Sequence, residues 1–241
     1  MYKRQGIGEG LLNFFFPQNC VNCKKYITES AGYPLCEECE EKIRKDISPY
    51  CLICGRPVLS YRQTKCRRCR EKPFSFDLAR AVTLYEPPIK NAIHAFKYRK
   101  VLSFRILFIQ LINDFLTYHP FFRDIDGILP VPLHHSRLRE REFNQAEILA
   151  RGVSETLQKP LINKAVIRKK KTLPQVGLSM KERRLNLQDA FCVENKNLIA
   201  NKKILIIDDV VTSRSTVDSL SKVLRRAGSQ TILVLALATG K

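Results

Sequence analysis

The sequence predicts an α/β protein in which helices flank a parallel sheet and a small cysteine-rich module precedes it. After Pro73, short and nearly continuous apolar runs alternate with longer amphipathic runs, which is typical of strands buried on both faces between helices. Before Pro73, Cys-x-x-Cys pairs follow one another at short spacing. We therefore expect a lead-in helix over 1–19, a cysteine-rich module over 20–72 and an α/β domain over 73–241.

The composition bounds the possible classes of protein. With 241 residues and 44% hydrophobic residues, the chain can form one full-sized domain and a small one, which excludes global disorder. The 42 Lys and Arg residues against 23 Asp and Glu residues give a net charge of +19, which favours an acidic partner or substrate. No apolar run approaches the length of a membrane helix, and the run 11–16 is too short for a signal peptide. We expect a soluble, cytoplasmic protein without membrane insertion.

The cysteines predict two structural zinc sites. Eight of the nine fall in four pairs, Cys20/Cys23, Cys36/Cys39, Cys51/Cys54 and Cys66/Cys69. Two residues between thiols let a turn aim both sulfurs at one metal ion, and a site filled by four sulfurs leaves no position for water. A disulfide framework or redox pairs are the alternatives, but there is no secretory signal and Cys192 is left over as a small, partly buried hydrophobe.

The pairing of these cysteines stays open. Sequential pairing, with the first four on one Zn²⁺ and the last four on the other, needs only short loops, and interleaved pairing remains an alternative. In either case a module of about 50 residues is too small to fold on apolar burial alone, so zinc would supply the missing stability.

The apolar patterns predict the elements of the larger part in order. The predicted strands are Ala81–Tyr85, Ile128–Val131, Leu161–Arg168, Lys203–Ile207 and Thr231–Ala236. The predicted helices are Pro88–Tyr98, Leu102–Tyr118, Asn144–Leu157 and Thr216–Ala227. In such a sheet, ligands bind outside the carboxyl ends of the strands.

One strand end carries a pattern typical of a ligand site. Asp208 and Asp209 follow a buried strand, and a hydroxyl-rich loop then leads into a helix. Ser215 and Asp218 have the spacing of a capping box, which predicts that the helix begins at the loop and presents free N–H groups to an anion. Paired carboxylates beside an anion site suit a ribose 5-phosphate. The alternative is a pair of ordinary surface acids at a strand-to-helix turn.

This segment resembles the phosphoribosyl pyrophosphate (PRPP) motif of type I phosphoribosyltransferases. The resemblance implies a type I phosphoribosyltransferase-like parallel sheet, Mg²⁺-bound PRPP as ligand, and Asp208 and Asp209 as the catalytic acids on the ribose hydroxyls. It assigns the 5-phosphate to the loop of Thr212, Ser213, Arg214, Ser215 and Thr216. Arg214 stands where that family usually has glycine, so it either strains the loop or adds its charge to phosphate binding.

Further motifs resemble the ComF/GntX family over nearly the whole chain. They are Tyr85, Lys97-Tyr98, the run Leu129–Ala146, and the stretch Thr172–Phe191 with Gln175, Arg183 and Asn186. The resemblance implies a pyrophosphate site near Pro132–Arg141 and a mobile basic lid over Arg168–Arg184, to which we assign Arg137, Arg141, Lys169, Lys170 and Arg183. Glu142 stands where this family usually has glycine.

Two functions follow from the resemblance. The first is a PRPP-binding protein of DNA uptake and natural competence that also binds single-stranded DNA and, by family analogy, has a DNA-uptake helicase as a partner. The alternative is an active phosphoribosyltransferase, transferring a pentosyl group in nucleotide or cofactor metabolism, with no DNA role. A solvated basic loop is the simpler interpretation of the lid.

Overall fold

The computed structural model describes residues 19–27, 31–45, 47–169 and 190–240. The predicted lead-in helix lies outside these residues except for its last position. Lys170, Arg183 and the rest of the predicted lid after Lys169 also lie outside them.

A four-stranded parallel sheet forms the centre of the fold. The described strands are β1 (Leu78–Leu84), β2 (Gly127–Pro130), β3 (Val166–Arg168), β4 (Phe191–Val193), β5 (Lys203–Val211) and β6 (Thr231–Thr239). The order in the main sheet is β1-β6-β5-β2, and each neighbouring pair is parallel. The predicted parallel sheet is therefore confirmed.

Helices cover both faces of this sheet. The described helices are α1 (Glu37–Glu41), α2 (Arg67–Glu71), α3 (Ile89–Tyr98), α4 (Arg105–Tyr118), α5 (His135–Arg141), α6 (Gln145–Leu157) and α7 (Ser215–Arg226). Alternate residues of β5 face opposite layers, because successive side chains of a strand point to opposite sides. Leu205 and Ile207 pack in the cluster that contains α3, α4 and most of α6, whereas Ile204 and Ile206 pack in the cluster that contains α7.

Two predicted strands differ from the structure. The strand expected over Leu161–Arg168 is interrupted by a turn at Asn163 and Lys164, and Leu161 forms only a single bridge with Ile128. The residues after the turn form β3, which pairs antiparallel with β4 in a separate two-stranded sheet. In contrast, β5 continues four residues beyond the predicted end at Ile207, because β6 runs beside it as far as Thr239.

The two cysteine modules pack on different parts of this core. The first module contributes Tyr33 and Leu35 to the cluster with α3 and α4. The second packs along β1, where Ala79 N–H donates to the Ile53 carbonyl at 2.8 Å. Gly55 permits this approach, because a Cβ at its position would lie 2.5 Å from the carbonyl oxygen of Ala79. In the described part of the chain, no helix combines the length and apolar character needed to cross a membrane.

Candidate functional site

The cysteines converge in two groups of four that follow the chain order. Cys20, Cys23, Cys36 and Cys39 form one group, and Cys51, Cys54, Cys66 and Cys69 form the other; within each group all sulfurs lie within 4.8 Å of one another. Sulfur pairs across each group are 3.6 and 3.7 Å apart. Four sulfurs at about 2.3 Å from a tetrahedral zinc would be about 3.8 Å apart. The donor sets therefore fit two structural zinc sites with sequential pairing.

Backbone hydrogen bonds lower the pKa of one thiol in each group, whereas burial raises the pKa of others, among them Cys36 and Cys54. Burial alone would raise the pKa of Cys20, but backbone hydrogen bonds from Cys36, Cys23 and Asn22 bring it down to about 6. Cys51 in the second group has the same balance, with burial opposed by backbone hydrogen bonds and a pKa of about 6. Each group thus contains a thiol that ionises easily, as zinc binding requires.

A cleft of about 290 Å³ lies at the carboxyl ends of β1, β2 and β5. Of the sequence-predicted site residues, it is lined by Asp208, Asp209, Thr212, Thr216, Arg137 and Arg141. Ser213, Arg214 and Ser215 line an adjoining niche that shares Asp208, Thr212 and Thr216 with the cleft. Predicted site residues from two separate sequence segments, 137–141 and 208–216, therefore meet at one edge of the sheet, where ligands of α/β proteins bind.

The two acids of the cleft lie in different electrostatic surroundings. Asp209 is buried and accepts a 2.7 Å hydrogen bond from the ammonium of Lys97 on α3. Burial and the nearby charge of Asp209 raise the pKa of Asp208 to about 7, although Lys97 and Arg168 act in the opposite direction. The Asp209 N–H also donates to Asp208 Oδ1 at 2.9 Å. One acid thus forms an ion pair with a lysine, while the pKa of the other is raised to about 7.

This titration predicts a pH dependence of stability. The unfolded chain releases the Asp208 proton near its ordinary pKa of 3.8, whereas the native state keeps it up to about 7. The contribution of Asp208 to the free energy of unfolding is therefore complete at low pH and is lost as the pH rises through about 7. We expect urea unfolding from about pH 5 to about pH 8 to show a falling stability difference between wild type and Asp208→Asn. Parallel profiles for the two proteins would contradict this.

The predicted phosphate loop, residues 212–216, leads directly into α7. The predicted capping box is wrong, because the Asp218 carboxylate accepts a hydrogen bond from Ser75 N–H at 2.8 Å and does not return to Ser215. The N-cap residue is Arg214, and its side chain makes no capping hydrogen bond. The N-terminal end of α7 therefore lies at the loop, where the helix dipole favours an anion, and Ser215 N–H makes a 3.4 Å hydrogen bond to Ser213 Oγ.

Arg214 has a left-handed backbone and an inward-facing side chain. Its φ is +62°, a conformation that favours glycine, so the loop carries the strain that was one of the two sequence alternatives. Its guanidinium is buried and donates to the Cys54 carbonyl, the Thr212 carbonyl and the Thr239 hydroxyl. Burial lowers the pKa of Arg214 to about 10, while the cysteines of the second zinc site raise it, so the side chain stays charged at neutral pH.

Three arginines also line the cleft, Arg137, Arg141 and Arg168. Arg168 at the end of β3 faces the cleft, and burial together with Arg137 lowers its pKa to about 10. Arg141 donates to Gln145 Oε1 at 3.0 Å and stacks over the Tyr98 ring at 5.1 Å. Arg141 Nε and Gln145 Nε2 are buried N–H donors for which the described residues offer no acceptor. An oxygen-rich anion in the cleft would satisfy such donors.

Lys169, which we assigned to the lid, does not line the cleft. Its backbone N–H continues the β3–β4 hairpin by donating to the Ala190 carbonyl at 2.9 Å, and its ammonium neighbours Cys192, whose contact raises the lysine pKa. Side chains alternate along the strand, so Arg168 faces the cleft and Lys169 does not. In the sequence interpretation Lys97 and Gln145 stood only within the family motifs and Arg168 only within the lid, so no place in the cleft was predicted for these three residues.

The backbone at Glu142 explains why the ComF/GntX motif usually has glycine at this position. Glu142 ends α5 with a φ of +67°, where glycine has no steric cost. Its carboxylate forms an ion pair with Lys100, which lies just after α3. The departure from the motif therefore preserves the turn that brings Arg141 and Gln145 to the cleft.

Comparisons with known proteins agree with these features. Residues 11–70 match the double zinc ribbon domain. Competence protein F of Haemophilus influenzae is 33% identical over 93% of this chain and 98% of its own length. The chain belongs to the ComF family. Other relatives are DNA utilization protein YhgH of Escherichia coli K12, 31% identical over 84% of this chain and 89% of that protein, and competence protein ComFC of Bacillus subtilis, 28% identical over 80% and 79%.

Solved structures show a weaker similarity. A glutamine PRPP amidotransferase from B. subtilis, complexed with ADP and GMP, is 16% identical and has a TM-score of 0.33. The match covers 47% of this chain and spans only 22% of the amidotransferase chain.

Proposed function

We propose that this ComF-family protein binds Mg²⁺-PRPP, or another phosphorylated ribose, in the cleft. The main support is the meeting of hydroxyl acceptors and phosphate donors at one sheet edge. Asp208 and Asp209 would accept hydrogen bonds from the ribose 2- and 3-hydroxyls, while the N–H groups at the start of α7 would donate to the 5-phosphate. The two groups adjoin, since the cleft and the niche at the loop share Asp208, Thr212 and Thr216.

The arginines that line the cleft would hold the pyrophosphate. Arg137, Arg141 and Arg168 all line the same cleft as the acids, and each guanidinium can bind phosphate oxygens in a bidentate manner. Mg²⁺ would enter with PRPP on its pyrophosphate oxygens and would neutralise part of their charge. Lys97 would hold the Asp209 carboxylate in place through their ion pair.

A pair of sugar phosphates tests the role of the acids. Ribose 5-phosphate and 2-deoxyribose 5-phosphate carry the same phosphate and differ by one of the two hydroxyls that the acids would bind. We expect the ribose compound to bind at least about tenfold more tightly, because the carboxylate pair loses a hydrogen-bond partner with the deoxy compound. Thermal shift titrations at equal concentrations measure this difference. Equal shifts would contradict ribose recognition by Asp208 and Asp209.

We propose a second property, the binding of single-stranded DNA during DNA uptake. Its support is the net charge of +19 together with membership of a family whose members are named for competence and DNA utilization. This role would place the protein in the cytoplasm, where a DNA-uptake helicase would be its partner. Sequence-independent backbone binding suits the charge, since no recognition-helix pattern occurs in the sequence.

The salt dependence of DNA binding tests this second property. Lys169, Lys170 and Lys171 form a basic run at the start of the proposed lid, and the last two lie outside the described residues. Replacing all three by Gln should weaken binding of an oligothymidylate and reduce the slope of log K against log salt by about 2. An unchanged slope would place the DNA surface elsewhere. Binding of Mg²⁺-PRPP without any DNA affinity at low salt would favour the metabolic transferase instead.

A further inference from the structure

The side chain of Arg214 connects the phosphate loop to the second zinc ribbon. Its Nε donates to the carbonyl of Cys54 at 3.2 Å, and its Nη2 donates to the Thr239 hydroxyl at 2.7 Å. Nη1 donates to the Thr212 carbonyl within the loop. Only 3% of the residue is exposed, so these hydrogen bonds are shielded from water. The guanidinium therefore joins the zinc ribbon, the end of β6 and the loop.

A second connection joins the segment just after the ribbon to the helix that follows the loop. Ser75, a few residues after α2, donates its N–H to Asp218 at 2.8 Å, and its carbonyl accepts a 3.2 Å hydrogen bond from Arg225 Nε. Asp218 lies in the first turn of α7 and Arg225 in its last turn. The segment that follows the ribbon is thus held to both ends of α7.

Cys54 connects the second zinc site to the phosphate loop. Its sulfur is a zinc ligand, and its carbonyl oxygen accepts the hydrogen bond from Arg214. Binding of zinc fixes the Cys54 backbone and so fixes this acceptor. Four thiolates around Zn²⁺ also carry a net charge of −2, which attracts the buried guanidinium. The left-handed conformation of Arg214 persists only because its surroundings hold the side chain in place.

We propose that zinc at the second ribbon orders the phosphate loop through Arg214, so that zinc binding and phosphate binding stabilise each other. Arg214 is a positioning residue in this proposal, and its side chain does not touch the ligand. The proposal deepens the proposed function and rests on it where the loop binds a phosphate. Since coupling between two sites is reciprocal, a ligand at the loop must also retain zinc in the second ribbon.

Alkylation of the cysteines under a zinc chelator measures this coupling at each site. The zinc-loaded full chain is treated with a chelator and N-ethylmaleimide, and mass spectrometry follows each cysteine peptide, with and without ribose 5-phosphate. We expect the ligand to slow alkylation of the second group of cysteines at least about fivefold and to leave the first group unchanged. The proposal would be overturned if the ligand binds and slows alkylation of both groups of cysteines equally, or if it binds and slows alkylation of neither group.

Two variants separate the arginine side chain from its backbone. Arg214→Gly relieves the strain of the left-handed conformation but removes the guanidinium, so we expect it to lose the ligand protection of the second group. The control is Arg80→Ala, because Arg80 on β1 donates to the ribbon carbonyl of Leu52 at 3.0 Å without contacting the loop. This control should release zinc faster and still show ligand protection. Full protection in Arg214→Gly would overturn the proposal.

A failure of the proposed function is distinguishable from a failure of this coupling. If ribose 5-phosphate does not bind the wild-type protein, the proposed ligand is wrong, and the ligand-free rates still test the coupling through Arg214. In that case Arg214→Gly should expose the second group of cysteines to alkylation faster than wild type, with the first group unchanged. Equal rates in the two proteins would overturn the coupling as well.

Discussion

Removal of both zinc ions is expected to unfold the region 20–69 before the rest of the chain. Structural zinc contributes about 10–16 kcal/mol to small zinc modules, and a segment of this size has little core of its own. The first ribbon also contributes Tyr33 to the cluster around Phe104, the residue that precedes α4, so its loss would expose part of the domain core. Circular dichroism and metal analysis during titration with a strong chelator measure this unfolding.

A matched pair of variants provides the control for zinc. Cys54→Ser removes one ligand of the second site and should lower zinc content from two ions per chain to one. Cys192→Ser changes the ninth cysteine, which lies outside both groups, and should leave the zinc content at two. An intact dichroism signal after chelation, with no zinc released, would contradict the metal assignment.

Replacement of both acids, Asp208→Asn with Asp209→Asn, is expected to reduce the affinity for Mg²⁺-PRPP at least about a hundredfold. The change removes two charged hydrogen-bond acceptors for the ribose hydroxyls, each worth about 1.5–3 kcal/mol. It leaves the buried apolar residues of β5 unchanged, so the fold should be retained, although Lys97 loses its ion-pair partner. Calorimetric titration measures the affinity, and circular dichroism checks the fold.

Asp114→Asn is the matched control for the acid pair. Asp114 is an exposed acid on α4 that does not line the cleft, so this variant should bind Mg²⁺-PRPP as wild type does. An affinity of the double variant within about twofold of the control would contradict the assignment of Asp208 and Asp209 to the ribose.

The sequence predicted the parts of the structure that depend on local patterns. The Cys-x-x-Cys spacing identified all eight zinc ligands, because each ribbon closes over a short loop. The apolar run 204–207 identified the central strand, and the acids that follow it reach the cleft as expected. These features are decided by residues that are close together in the chain.

The remaining features depend on contacts between distant parts of the chain. Lys97 reaches Asp209 across 112 positions, and Arg214 reaches Cys54 across 160 positions. The periodicity of apolar residues in the sequence does not predict such long-range pairs. Ser75 likewise takes Asp218 as its acceptor from 143 positions away, which is why the local capping box did not form. A side chain with two possible hydrogen-bond partners bonds to the one that tertiary packing brings close to it.

The alternation of side chains along β3 explains why Arg168, and not Lys169, lines the cleft. The basic run at 168–171 offers several candidates, and only the phase of β3 decides which of them faces the cleft. That phase is set by pairing with β4, in which Arg168 lies opposite Phe191. The sequence would have predicted which side chains of β3 face the cleft only if the pairing of β3 with β4 had been recognised.

The most direct test of the central claim is isothermal calorimetry of the zinc-loaded protein with Mg²⁺-PRPP, repeated with single-stranded DNA present. The account predicts saturable binding at one site per chain, with heat that persists when DNA is bound. A folded, zinc-loaded protein that binds DNA but gives no heat with Mg²⁺-PRPP would contradict the account and leave DNA handling as the function of this chain.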